Sequence, residues 1–287
     1  MRELTILNPT AGKGKIKIEG AYVTKEGGDC RRFVREACLE DPDTHFTVYG
    51  GDGTLNEAVS GIMDAGAGDR ASVTSVPTGS GNDAVKTLDT HSAGKEVMID
   101  LIKIGSGYGI NMLNIGFDCN VVASAQRYKK APLVSGNLSY IMGVAREFFR
   151  PFGEPFRVEA ECADGEVFSF DEPALLCAVC NGQWCGGSFH NSPLSDMTDG
   201  VLEMILVRKM GRGSFINMIG GYKKGTLIDR ETGELDPKYE GKIIYKKIRR
   251  MSISGCKTIC SDGEIFSASS AEISVIPGAI RYVSPEK

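Results

Sequence analysis

Gly50-Gly51-Asp52-Gly53-Thr54-Leu55-Asn56-Glu57 is the stretch that decides the fold. Before it, His45 to Tyr49 is β-rich. After it, Leu55, Ala58, Val59 and Ile62 recur at helical spacing, with Thr54 as the expected cap. The unit is strand, glycine turn, helix, and it recurs on both sides. Leu4 to Leu7 runs into Asn8-Pro9-Thr10-Ala11-Gly12-Lys13-Gly14-Lys15. Ser72 to Val76 runs into Pro77-Thr78-Gly79-Ser80-Gly81-Asn82-Asp83, where Asn82 or Asp83 can cap the next helix. Tyr22 to Thr24 adds a strand. Asp29 to Leu39 adds a helix, with Phe33, Val34, Ala37 and Cys38 on one side. Alternating units of this kind build a mainly parallel sheet with ligands at the carboxyl ends of its strands. One link is short. Only Lys13 to Ala21 separates the first strand from the next, less than a helical crossover needs. Either the crossover helix is missing or part of the chain lies outside this sequence.

Each glycine loop sits where free backbone N–H groups and a helix start can cradle phosphate. Thr10, Thr54 and Ser80 offer hydroxyls, and Lys13 offers charge. Asp52 cannot face phosphate without a cation, so it implies Mg²⁺ or a lysine partner. No Walker A spacing is present. Gly79-x-Gly81-x-x-Ala84 fits a dinucleotide fingerprint only loosely. One such loop is usually just a turn, but three in one βα region favour a nucleotide phosphate site.

Beyond Lys103 the texture changes to strand-like runs bounded by turns. They are Gly109 to Ile115, Phe156 to Cys162, Val167 to Phe170, Leu175 to Cys180, Val201 to Val207, Lys242 to Ile248, Met251 to Ile253 and Glu272 to Ile276. Asp164-Gly165, Asp199-Gly200 and Asp262-Gly263 are tight-hairpin dipeptides. Helices are expected at Leu138 to Phe149 and Ser214 to Gly220. The expected architecture is therefore an α/β nucleotide-binding domain, mainly parallel with glycine-rich loops, plus an all-β antiparallel sandwich.

Composition narrows the functional class. The 287 residues carry 33 cations against 37 acids, net −4, which argues against a nucleic-acid partner. No apolar run approaches a membrane span, and no secretory leader is visible at Met1-Arg2-Glu3-Leu4-Thr5, so a cytoplasmic protein is expected. Nine cysteines read as free thiols of a reducing compartment. Cys177-x2-Cys180 with Cys185 looks like part of a metal site, but these residues read better as packed apolar positions.

Together the loops resemble the diacylglycerol kinase catalytic domain family, which includes bacterial lipid kinases and sphingosine and ceramide kinases and is related more distantly to NAD kinases. The resemblance rests on Asn8 to Gly12, Gly50 to Glu57 and Pro77 to Asp83. It continues through Asn111 to Asp118, Asn181-Gly182 with Gly186-Gly187, Pro193 to Gly200, and Asp262-Gly263-Glu264. It implies an ATP-binding domain over residues 1–104, with 278–287 returning to it, and a lipid-substrate sandwich over 105–277. It implies ATP contacts at Asn8, Pro9, Thr10, Ala11, Gly12, Lys13, Thr24, Gly51, Asp52, Gly53, Thr54, Leu55, Asn56, Glu57 and Ser80. Asp52, Asp100 and Lys13 would form the charged network around a catalytic Mg²⁺. A second Mg²⁺ would lie at Asp199, with backbone carbonyls of Asp196 and Val201. Thr78-Gly79-Ser80 departs from the family's usual Gly-Thr but keeps a hydroxyl.

Two Asp-Gly-Glu triplets compete for the catalytic role, and both read locally as hairpins. The resemblance selects the later one, making Glu264 the general base and Asp262 its positioning partner, with Asp52 at the phosphates. His45, His91 and His190 gain no role, and Trp184 reads equally as cleft or packing. The implied activity is phosphoryl transfer from ATP to a lipid hydroxyl, with diacylglycerol giving phosphatidic acid in phospholipid synthesis. A lipid kinase without a span must visit the inner membrane surface transiently. Gly241 to Arg250, with five cations and no acid, is read evenly as that contact or as a solvated basic strand edge. A homodimer is left open. The alternatives are phosphorylation of NAD and a nucleotide-binding protein without catalysis.

Overall fold

The structure, a computed structural model, describes residues 2–92, 95–129 and 136–285. β1 (Arg2–Leu7), β2 (Tyr22–Val23), α1 (Asp29–Glu40), β3 (Thr44–Gly50), α2 (Asp52–Asp64), β4 (Ser72–Pro77) and α3 (Asp83–Ser92) make the first layer pair. Its strands are parallel in the order β4-β3-β1-β2. Ile6, Phe46, Val48 and Val73 from the strands meet Val34, Leu55, Val59 and Ile62 from the helices in one buried core. The helical spacing of those apolar residues is what turns α1 and α2 onto the sheet. The connection from β1 to β2 holds one 3-10 turn, Ala11–Gly14, and no α-helix. Thr54 does not cap α2. That helix starts at Asp52 with Gly51 as N-cap, and the Thr54 hydroxyl instead accepts a hydrogen bond from Asn8.

β5 (Glu96–Ile104) and β6 (Gly107–Gly109) lead into the second half. There follow β7 (Met112–Gly116), α4 (Phe117–Lys129), α5 (Gly136–Phe148), β8 (Glu154–Cys162), β9 (Val167–Cys180), β10 (Leu202–Arg208), α6 (Arg212–Lys224), β11 (Ile243–Ser254), β12 (Thr258–Ser261), β13 (Glu264–Ser267) and β14 (Ser270–Val283). The order β13-β12-β7-β9-β10-β11 is antiparallel, and β8 pairs with both β9 and β11. One face buries Ile115, Phe156, Val158, Leu206 and Met251 inside the sandwich. The other face packs Met112, Leu176 and Ile205 against Val121, Phe215 and Met218 of α4 and α6. The sandwich therefore carries three helices on its outer face.

Two expected breaks are absent. Val167 to Phe170 and Leu175 to Cys180 are one strand, β9, which runs through Pro173 because that residue faces Pro155 across the ladder and neither has an N–H to offer. β11 is likewise one strand with an irregularity between Ile248 and Arg250. β14 joins the two halves. It pairs with β11 through Ser270 to Ser274 and, in parallel, sets Arg281 and Tyr282 beside Ser72 and Val73 of β4. Glu286 and Lys287, the end of the expected return, lie outside the described residues.

In the basic run Lys242 to Arg250, Ile243 to Ile248 pair with β10, and β11 gains β14 as a second neighbour only from Arg250 onward. Three of the run's five cations are engaged by acids. Lys246 pairs with Glu166 at 2.7 Å, Arg250 with Glu161 at 2.6 Å, and Lys247 with Asp199 and Glu203. All nine cysteines are free, and Cys177 and Cys180 are buried in β9. Among the described residues, no helix is long and apolar enough to cross a membrane.

Gly61 sets how closely α2 approaches α1. A Cβ there would lie 2.5 Å from the Arg31 carbonyl oxygen and 2.9 Å from the Val34 side chain. Gly61→Ala is expected to lower stability by roughly 1–3 kcal/mol, although alanine is the better helix former. Urea unfolding of the two proteins checks this.

Candidate active site

The three glycine loops leave adjacent parallel strands at the same end and bond to one another. The Thr78 N–H donates to the Gly50 carbonyl at 2.9 Å, and the Gly12 N–H donates to the Thr78 carbonyl at 3.1 Å. Asn8 donates its amide to the Thr54 hydroxyl at 2.9 Å and accepts from the Thr10 N–H and hydroxyl. The second and third loops touch backbone to backbone. A Cβ on Gly79 would lie 2.5 Å from the Gly51 Cα, a separation no side chain tolerates. The result is a cradle at the start of α2, whose first turn has no side-chain cap. Uncapped N–H groups there can accept phosphate. Ser80 is exposed in the third loop, and Thr24 is buried where β2 ends, its N–H on the Leu7 carbonyl. Pro9, Ala11 and Gly53 lie in the first two loops, where they can contribute backbone only. Lys13 lies in the 3-10 turn, and its side chain is outside the described residues.

Several expected ligands do other work. Leu55 is buried in the core, so only its backbone can reach the cradle. Both Glu57 oxygens accept backbone N–H groups at the start of α1, Gly28 at 2.9 Å and Cys30 at 3.2 Å. Glu57 is thus a brace between helices. Asp52 accepts from the Ala84 N–H at 3.1 Å, and burial raises its carboxyl above the usual range. Its free oxygen side faces Gly81.

Asp100 does not join Asp52. Its oxygens accept from the Gly200 and Gly278 N–H groups at 2.6 and 2.7 Å. Burial raises its carboxyl, and the charges of Asp199 and Asp196 raise it further. It therefore belongs to the Asp196–Val201 loop, as a cross-link and not an open metal ligand. In that loop Asp196 accepts from the Thr198 N–H and hydroxyl, and Asp199 accepts from the Val201 N–H. The oxygen-rich donor set fits a hard cation in kind. Lys247 stands 3.4 Å from Asp199 and 3.5 Å from buried Glu203, so an ion at Asp199 would share the carboxylate with that ammonium. Burial pushes Glu203 up to about 7. Among the described residues, the three side chains whose ligand atoms come within 4.8 Å are Cys162, Asp164 and Glu166, at the β8–β9 hairpin.

Glu264 opens β13 after the two-residue turn Asp262-Gly263, and both turn residues have positive φ. It lines a cleft of about 280 Å³. The facing wall is Arg31 of α1 with Asn56, Glu57 and Ser60 of α2, and Tyr108 and Phe266 flank the glutamate. Asn56 is buried, and its side-chain oxygen lacks a partner. Asp262 accepts from three successive backbone N–H groups, Ile110 at 2.7 Å, Asn111 at 3.1 Å and Met112 at 2.8 Å. Burial pushes it up to about 6 against those donors, and the charge of Asp52 adds to the rise. Glu166, in the rival triplet, is tied to Lys246 on an exposed hairpin.

Sequence reasoning missed Asp83 and Lys86. Asp83 accepts from the Gly187 N–H, and Lys86 donates both to Asp83 at 2.9 Å and to the Gly187 carbonyl at 2.8 Å. This clasp holds the Gly186-Gly187 loop against the third glycine loop. The Asn82-Asp83 pair was legible only as a helix cap. Trp184 stacks on His190 at 4.1 Å, and His190 contacts Gln183 and Arg230, so both are packed.

The model of the diacylglycerol kinase catalytic domain matches residues 19–107, and that of the YegS C-terminal NAD kinase beta sandwich-like domain matches 111–284. The chain belongs to the family of the YegS C-terminal NAD kinase beta sandwich-like domain, and its first part is similar to the diacylglycerol kinase catalytic domain. Its relatives include proteins named probable lipid kinase YegS-like. The one from Chromohalobacter salexigens is 31% identical over 68% of this chain and 65% of its own length. The one from Pectobacterium atrosepticum is 28% identical over 95% of this chain and 89% of its own length. For a third, from Enterobacter sp., the match spans 62% of that protein. A crystal structure of a diacylglycerol kinase from Bacillus anthracis superposes with a TM-score of 0.72 at 22% identity, covering 98% of this chain and 96% of that one. The shared fold sets glycine loops and sandwich across one cleft.

Removing the Asp262 carboxylate would leave three backbone N–H groups without their acceptor. Asp262→Ala is expected to cost about 2–4 kcal/mol. Hydrogen exchange at Ile110, Asn111 and Met112 should quicken locally, which mass spectrometry reads out.

Proposed function

We propose that this chain is an ATP-dependent lipid kinase that transfers the γ-phosphoryl group to a lipid hydroxyl, with diacylglycerol as acceptor and phosphatidic acid as product. The observation that supports it best is the position of Glu264. It faces, across the cleft, the helix that begins in the glycine cradle. A phosphate chain at the α2 N-terminus would therefore end near a carboxylate able to take a proton. On this reading residues 1–104 with 278–287 hold ATP, and residues 105–277 present the acceptor.

The cradle N–H groups, with the Thr54 and Ser80 hydroxyls, hold the phosphates. Asp52 is the carboxylate placed to hold Mg²⁺ there, and when bound that ion offsets phosphate charge. Glu264 removes the proton of the lipid hydroxyl. The freed oxygen bonds to the γ-phosphorus while the β–γ bridging bond breaks, leaving ADP. Asp262 fixes the turn that aims Glu264.

Labelled-ATP turnover against a panel of lipid alcohols in mixed micelles, with NAD as the water-soluble control, tests the reading. Label in phosphatidic acid supports it, and label only in NAD overturns it. Glu264→Ala is expected to reduce turnover at least about a thousandfold while leaving ATP binding in calorimetry within about threefold.

A pH profile follows from Asp262. Its ionised, accepting form is lost as pH falls through about 6, so turnover should decline below that value. Asp262→Asn should remove this limb and run slower at pH 8. An unchanged limb in that variant assigns the titration to another group.

A further inference from the structure

α5 is apolar on two sides. Tyr140, Val144 and Phe148 pack inward against the core beneath it. Leu138, Ile141, Ala145 and Phe149 recur at helical spacing on the outside, where Ile141 is 63% and Phe149 80% exposed. A helix that is apolar nearly all round ordinarily has both sides covered. α6 lies alongside. Arg212 at its start donates to the Phe148 and Arg150 carbonyls at 2.8 and 3.0 Å. Lys223 near its end sits over Phe189, which contacts Tyr140. On α6, Ile216 is likewise an exposed large apolar residue, at 58%.

The charge on these segments is one-sided. Residues 136–152 and 208–224 carry Arg146, Arg150, Arg208, Lys209, Arg212, Lys223 and Lys224 against the single acid Glu147. Glu147 is buried and bonded to Ser124. Among the described residues, Lys209, Arg212, Lys223 and Lys224 pair with no carboxylate. This contrasts with the Lys242 to Arg250 run, where Lys246, Lys247 and Arg250 pair with acids. The face also borders the chemistry. α4 packs on α5, and its Gln126 donates to the Gly263 carbonyl, in the turn before Glu264, at 3.1 Å.

We propose that the outer face of α5 and α6 is the surface on which the chain docks to an anionic lipid bilayer, resting on the lipid-kinase reading above. Apolar side chains enter the acyl boundary while the surrounding cations meet the headgroups. Charge complementarity selects this occupant over a second copy of the chain. A two-fold interface would set the same cations against one another.

Sedimentation of the full chain with vesicles of phosphatidylcholine, alone or with added phosphatidylglycerol, tests the proposal. Binding is expected only to the mixed vesicles and should weaken with salt. Ile141→Asp with Phe149→Asp should reduce it about tenfold or more. Lys209→Glu and Lys224→Glu should each reduce it at least roughly fivefold. Arg250→Glu, the same charge change at an exposed cation that already pairs with Glu161 on β11, should leave it unaltered. The substituted residues are exposed, and thermal melts confirm that the variants fold. Wild-type vesicle binding by the apolar variant overturns the proposal. So does an equal loss in Arg250→Glu, or a change only in sedimentation mass without lipid. The vesicle readout needs no turnover. Failure of the kinase reading therefore appears separately, as no label in short-chain diacylglycerol dispersed in detergent.

Discussion

The candidate site depends on one contact, the backbone of Gly51 against the backbone of Gly79. Gly51 is the N-cap of α2, and Gly79 stands just before the turn into α3. Their approach brings two helix starts together, so the positive ends of both dipoles act on one volume. Parallel strands β3 and β4 put the two loops at the same edge, but only residues without a Cβ let the loops close. Asn8 and Gly12 then draw the first loop into the same knot. A phosphate chain would meet N–H groups already aimed and in no need of reorganisation.

Carboxylates fix the surroundings of that knot by a recurring device. Glu57 holds the start of α1, Asp83 holds Gly187, Asp100 holds Gly200 and Gly278, and Asp262 holds Ile110 to Met112. Each joins segments far apart in sequence through hydrogen bonds from backbone N–H to carboxylate, about twice as strong as neutral ones. The acids nearest the glycine loops are therefore mostly cross-links. Asp52 lies against Gly81 of the third loop, and Glu264 lines the cleft.

This device explains what could be read from the sequence. Strand–turn–helix spacing gave β1, β3, β4, α1 and α2, because apolar period and glycine position are local signals. The roles of the acids are not local. Asp164-Gly165-Glu166 and Asp262-Gly263-Glu264 have the same letters and make the same kind of turn, yet one ends on Lys246 and the other in the cleft. Only the strands beneath the turns decide this. β12 and β13 are four residues each and carry too few alternations to be legible. The ion pairs of Lys246, Lys247 and Arg250 were illegible for the same reason, since their acids come from β8, β10 and adjoining loops.

β14 and the Asp83–Lys86 clasp act on the cleft from opposite sides. β14 is hydrogen-bonded to β11 at one end and to β4 at the other, so the sandwich cannot slide along the parallel sheet without breaking a ladder. The clasp pins the Gly186-Gly187 loop to the start of α3, beside the cradle. What remains open is the wall that holds Glu264 and Phe266, on a short terminal hairpin with pairing on one side only. On the proposed reading, a rigid cradle and the Glu264 turn on the sheet's outer edge would suit a reaction whose two partners arrive differently, one from water at the glycine loops and the other from the direction of α4 and α5. The sandwich puts that edge where a long acceptor can enter without disturbing the strands that hold the phosphate site in place.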